Sequence, residues 1–359
     1  MAEALYAIMV SEKCGFPVDM TVMAGSASVE TGLRIDEARC VWLGKALASI
    51  PRAARFDEEV CPASSLSDED FLRALLWATA ICHSTKGAFR GEIDGREIKG
   101  WDYLLRAMLD AAEAAPQSVS PESMSQIGPG ALVAVLTRAK FGGKVELSDS
   151  ARRTQILREL AQWLLHNFDG TALAVFRQAG YRLAGDEGLY VELRAAPGFQ
   201  DPYQKKTSVL VGTAHYSHRF AFRDMGSFIP MADYHVMRAL FRTGCIVVSA
   251  PSLSKRLKLQ LSVSSDEEAS IRRAAIGACR LAAYGGPIPT VELNMLLWAH
   301  ARSLCRHRPV CVSMQPDHDS FRLMSGADDE ECPFATWCRG RTDGEFRAMW
   351  EPRISTEYY

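Results

Sequence analysis

Asp233 sits in the run Ser227-Phe228-Ile229-Pro230-Met231-Ala232-Asp233-Tyr234, a carboxylate at the end of an apolar stretch that leads into a helical pattern. An Asp at a helix N-terminus serves as a cap. Partly desolvated, the same carboxylate can orient a water or stabilise a developing cation. A second acidic group, Asp266-Glu267-Glu268, precedes Ile271-Arg272-Arg273. Capping and complementing the helix dipole account for it, and an acid in that place can also serve chemistry. Two cationic features stand apart from these. Lys205-Lys206 is either a surface pair or a local patch for a phosphate. His83, followed by Ser84-Thr85-Lys86-Gly87, either ends a helix or joins a small polar cluster that cradles an anion at a backbone turn.

Near the C-terminal side the pairs Cys305-x5-Cys311 and Cys332-x5-Cys338 bring four thiols into one region, with His307 and His318 close in sequence. Four thiolates suit a structural zinc ion or an iron–sulfur cluster. Five intervening residues exceed the two to four of zinc knuckles, so free thiols in a loop-rich tail are the other reading. No cofactor is required by anything else in the sequence.

Helices must position these groups. Ser67-Asp68-Glu69-Asp70 ahead of Phe71-Leu72-Arg73-Ala74-Leu75-Leu76-Trp77 predicts a capped, acid-started helix running towards Ile81-Cys82-His83. Helical spacing recurs from Trp101 to Ala115, from Ala131 to Lys140, from Ser148 to Phe168 with a stop at Asp169-Gly170, and through Ala232–Phe241, Asp266–Ala283 and Val291–Ser303. Asp94-Gly95 predicts a turn. Strands are short and few. The expected class is mainly α, a single helical domain over 1–320 with a soft seam near residue 140, and a loop-rich tail over 321–359.

Composition narrows the partners. The 359 residues are 48% hydrophobic, which supports a large core, and 41 Lys plus Arg against 43 Asp plus Glu leave a formal net charge of -2. Such a balance does not favour a long polyanion, because duplex binding draws its affinity from many phosphate contacts. A small charged substrate met by a few basic residues fits better. No window reaches the roughly 18 apolar residues of a membrane span, and the scattered cysteines fit a reduced chain, so the expected setting is cytoplasmic. The oligomeric state is not legible.

Taken in order, several stretches resemble the queuosine salvage protein family, the queuosine 5′-phosphate N-glycosylases. They are Gly100-Trp101-Asp102-Tyr103-Leu104-Leu105, the helix Arg153–Asp169, Pro197-Gly198-Phe199-Gln200-Asp201 with Lys205-Lys206, Phe222-Arg223-Asp224, Ala232-Asp233-Tyr234, Glu267-Glu268 with Ile271-Arg272, and Leu297-Trp298. The resemblance implies a fold similar to helix-hairpin-helix DNA glycosylases and hydrolysis of a 7-deazaguanine-type nucleotide that releases queuine. It implies that Asp233 is catalytic, that Asp266 holds the base or aids the chemistry, and that Lys205 or Lys206 reaches the phosphate. Tyr234, His83, Phe199, Arg272 and His318 are the further substrate-binding candidates. The alternatives are an N-glycosylase for another modified base and a non-catalytic nucleic-acid-binding module on the same fold.

Overall fold

A computed structural model describes residues 32–85, 88–93, 96–137, 144–147, 149–306, 308–313, 320–326 and 332–359. The expectations placed on 1–31, Lys86-Gly87, Asp94-Gly95, 138–140, His307 and His318 lie outside these residues. In chain order the main elements are β1 (Leu33–Ile35), α1 (Glu37–Ala48), α2 (Asp68–Ala80), β2 (Phe89–Ile93), β3 (Arg96–Lys99), α3 (Trp101–Ala114), β4 (Lys144–Val145), α4 (Ser150–Phe168), α5 (Lys205–Tyr216), α6 (Tyr234–Thr243), β5 (Ile246–Val248), α7 (Ser265–Gly285) and α8 (Thr290–Ser303), with shorter helices between them. The chain is mainly helical, as its periodicity predicts.

The described residues pack as two compact units. One consists of the described part of Met1–Val60 with Met225–Ser355, and the other of Cys61–Asp224 with Thr356–Tyr359. In the first unit β1 and β5 pair antiparallel, with Leu33 opposite Val248 and Ile35 opposite Ile246. Helix α7 begins with a capping box: Ser264 accepts from the Glu267 amide while the Glu267 carboxylate accepts from the Ser264 amide at 2.9 Å. It lies against α1 so closely that a Cβ on Gly44 would stand 1.8 Å from the Ala282 carbonyl oxygen. Only glycine permits that approach. Helices α6 and α8 also pack together, and short helices at Arg339–Thr342 and Gly344–Arg347, in the stretch read as a tail, rest on α6.

The second unit is built on α2. Ser67 caps it by accepting from the Asp70 amide, and Asp68, Glu69 and Asp70 occupy its positive end. Phe71, Leu72, Leu75, Leu76 and Trp77 are all buried, and the Trp77 indole donates to the Val119 carbonyl at 2.8 Å. Helices α3 and α5 pack on it. β2 pairs antiparallel with both β3 and β4. α4 ends where Asp169 and Gly170 take the left-handed conformation at φ 51° and 74°, the stop that this dipeptide predicts. Position 140, the expected seam, falls within this unit.

Candidate active site

In the first unit the segment Met231-Ala232-Asp233 carries the chain into α6. Asp233 has extended backbone, φ -86° and ψ 155°, and its Oδ1 accepts the His235 amide at 2.7 Å. It is therefore the helix cap that its position predicts, and it is also buried, with 5% of its surface exposed. Burial is what separates it from an ordinary cap, since a desolvated carboxylate interacts strongly with any positive charge that forms beside it.

The next two side chains extend this cluster. The Tyr234 and His235 rings lie 4.2 Å apart. Burial, and then the charge of Asp233, hold the Tyr234 hydroxyl above its ordinary pKa, so it remains a neutral donor. Arg238 Nη2 donates to His235 Nδ1 at 2.9 Å, which places the imidazole proton on Nε2. Arg238 is fixed in turn by Glu351 at 2.6 Å and by the Cys305 carbonyl at 2.9 Å. Arg238 and Glu351 are 113 positions apart, a separation that no motif records, and their pairing follows from packing within this unit.

Asp266 lies in the first turn of α7 with its side chain exposed. The buried carboxylate of that helix is Glu268, whose Oε1 stands 3.7 Å from Nε of the fully buried Arg272. The four-residue spacing of opposite charges within a run that ends in apolar residues was the available sign of that pair. Asp233, Tyr234, Asp266 and Arg272 thus share the first unit.

Lys205, Lys206, His83 and Phe199 belong to the second. Phe199 is wholly buried. Both lysines are buried as well, which sets aside the surface-pair reading of the two left open by the sequence. Asp201 accepts the Lys205 amide at 2.7 Å and the Tyr203 amide at 3.0 Å, which sets the start of α5. Lys205 Nζ lies 3.7 Å from Cys82 Sγ, and Lys206 Nζ donates to the Ala80 carbonyl. Burial brings Lys206 down to about 8, with the Lys205 and Arg153 charges acting the same way.

His83 is held by partners far away in sequence. Its Nε2 is 3.2 Å from Asp149 Oδ2, while Arg153 donates to Asp149 and to the Ile81 and His83 carbonyls. Burial, followed by the Arg153 and Lys206 charges, lowers His83 to about 4. Glu357, ion-paired with Arg152, adds negative charge near His83 and Lys206. A buried set of Lys205, Lys206 and Arg153 is chemically suited to an anion. The tie of Asp149 and Arg153 to His83 escaped the sequence reading because they are 66 and 70 positions away from it.

The depressed His83 pKa has a measurable consequence. Below the ordinary value of 6.5 an unfolded chain takes up a proton that the folded unit refuses until about pH 4. Its contribution is complete above pH 6.5 and is lost as pH falls to about 4, by roughly 3 kcal/mol. His83→Gln should make the urea-unfolding free energy fall less steeply between pH 6.5 and 4.5 than it does in the parent. Equal slopes would contradict this.

The four tail cysteines all lie in the first unit. Cys305 is buried, and Cys311, Cys332 and Cys338 are partly so. His300 Nε2 is 3.3 Å from Cys332 Sγ. Among the described residues no group of three or more His, Cys, Asp or Glu side chains is placed to hold a metal ion. Among them, too, no helix is long and apolar enough to cross a membrane.

The sequence model of a family described as queuosine salvage protein matches residues 76–284, more than half of the chain. The match runs from within α2 to the last turn of α7 and takes in His83, Lys205, Lys206, Asp233 and Arg272. No curated protein matches the chain.

Proposed function

The chain belongs to the queuosine salvage protein family, and from that premise we propose that it hydrolyses the N-glycosidic bond of a 7-deazaguanine-type nucleoside 5′-phosphate, queuosine 5′-phosphate foremost. A role in queuosine salvage follows from the family. The observation that carries the chemistry is the buried carboxylate of Asp233 at the head of α6, with the protonated Tyr234 beside it.

In this reading the C1′–N bond breaks and its electron pair leaves with the base. The sugar acquires oxocarbenium character, and the Asp233 carboxylate stabilises that charge. A water held by Asp233 adds its oxygen to C1′ and gives up a proton through the carboxylate. The base takes up one proton, so that free base and ribose 5-phosphate are the products. Position 7 of a deazapurine is carbon and accepts no proton there, so the departing base needs a hydrogen-bond donor elsewhere on the ring. Tyr234 is that donor. Asp266, exposed, has a smaller part, and Asp266→Asn is expected to slow base release less than about tenfold. A phosphate monoester is the kind of anion that the Lys205–Lys206 cluster suits.

Incubation with a panel of nucleosides and 5′-nucleotides, followed by chromatography of the released bases, tests the reading. Queuosine 5′-phosphate should release queuine faster than queuosine does, and AMP and GMP should stay intact. Release of adenine or guanine at a comparable rate would point instead to a glycosylase of other specificity.

A further inference from the structure

Asn294, on α8, lies outside the stretch matched by the family and has no exposed surface. Its side chain accepts the Met231 amide at 2.8 Å. That bond settles the orientation of the carboxamide, because a backbone N–H can only meet the oxygen: Oδ1 faces Met231, and the NH2 group is the other end. Met231 is two residues ahead of Asp233, and its carbonyl accepts the Asp233 amide at 2.8 Å. Asn294 therefore grips the segment that delivers the catalytic candidate.

The other end of the amide is unused. Nδ2 is buried and has no hydrogen-bond partner among the described residues. An unmade hydrogen bond on a buried donor is costly, and such groups are paired with water or ligand in nearly all proteins. A core position with a purely structural task would be filled more cheaply by an apolar side chain. Two hydrogens held beside the Asp233 segment are suited to the lone pairs of an oxygen.

We propose that Asn294 is a water-positioning residue, whose Nδ2 donates to the oxygen of the water that Asp233 activates. With one lone pair held by the amide and one hydrogen held by the carboxylate, the remaining lone pair of the water is directed at C1′. The inference rests on the glycosidase reading of Asp233.

The test compares Asn294→Asp and Asn294→Ser with the parent protein, following base release from queuosine 5′-phosphate between pH 6 and pH 8.5 and the thermal unfolding of each. Asn294→Asp retains an acceptor for Met231 and exchanges the donor for a carboxylate. At pH 8 its kcat should fall about a hundredfold, the size of effect produced by removing one preorganised amide donor, with KM changed less than about threefold. Burial raises the pKa of the introduced carboxyl. Once protonated it is again a donor, so the variant should recover relative to the parent as pH falls. Asn294→Ser, uncharged, should show a similar loss with no such recovery. A folded variant that works at the parental rate would overturn the proposal, as would a loss that follows the fraction unfolded at every pH. Failure of the parent protein itself to release base overturns the glycosidase reading first, which keeps the two failures apart.

Discussion

Asp233→Asn is expected to slow base release by two to three orders of magnitude while the protein stays folded. The magnitude follows from the loss of a buried charge next to a cationic transition state, about 3 to 4 kcal/mol, with each 1.4 kcal/mol worth tenfold in rate. Stability should hardly change, because Asn caps a helix as well as Asp does and can still accept the His235 amide that Asp233 now holds at 2.7 Å. Asp233→Ala separates the two roles. It loses the charge and the cap together, and about 1 kcal/mol of stability should go with the activity. Measurements of initial rate and of urea unfolding on the two variants check both halves. A folded Asp233→Asn protein that retains a tenth or more of parental activity would remove Asp233 from the chemistry.

Arg153→Met should produce the largest loss of stability, about 3 to 5 kcal/mol. The guanidinium is almost fully buried on α4 and donates to the Ile81 carbonyl, to the His83 carbonyl at 2.7 Å and to Asp149 at 2.7 Å. Met fills a similar volume and supplies none of these bonds. Two buried carbonyls lose a donor, and Asp149, about a third exposed, loses its close cation. The same change should raise the His83 pKa from about 4, because the Arg153 charge is one cause of its depression after burial. Urea unfolding at pH 7.5 gives the first quantity, and an NMR titration of the His83 ring gives the second. A cost under 1 kcal/mol, or an unmoved His83, would mean that the arginine is not the tie between α4 and the end of α2.

The helix ends were legible because each is determined locally. Ser67 with its acidic turn, Asp169-Gly170 and Asp233 use side chains within a few residues of the backbone groups that they satisfy. Burial was less so. Lys205-Lys206 left a solvated pair and a phosphate patch both open, and because α5 is enclosed along almost its whole length both side chains are covered. In Asp266-Glu267-Glu268 the sequence marks three acids at a helix start. Only packing decides that the first is exposed, the second completes a capping box and the third faces Arg272. Asn294 gives no signal in a run of apolar residues, since its partner Met231 is 63 positions away.

The most direct measurement is the product balance for one substrate. Purified protein incubated with queuosine 5′-phosphate should release queuine and ribose 5-phosphate in equal amounts, with the nucleotide consumed in the same proportion and Asp233→Asn slower by about a hundredfold or more beside it. Intact queuosine 5′-phosphate after prolonged incubation with folded protein, or loss of its phosphate with the base still attached to the sugar, would contradict the account.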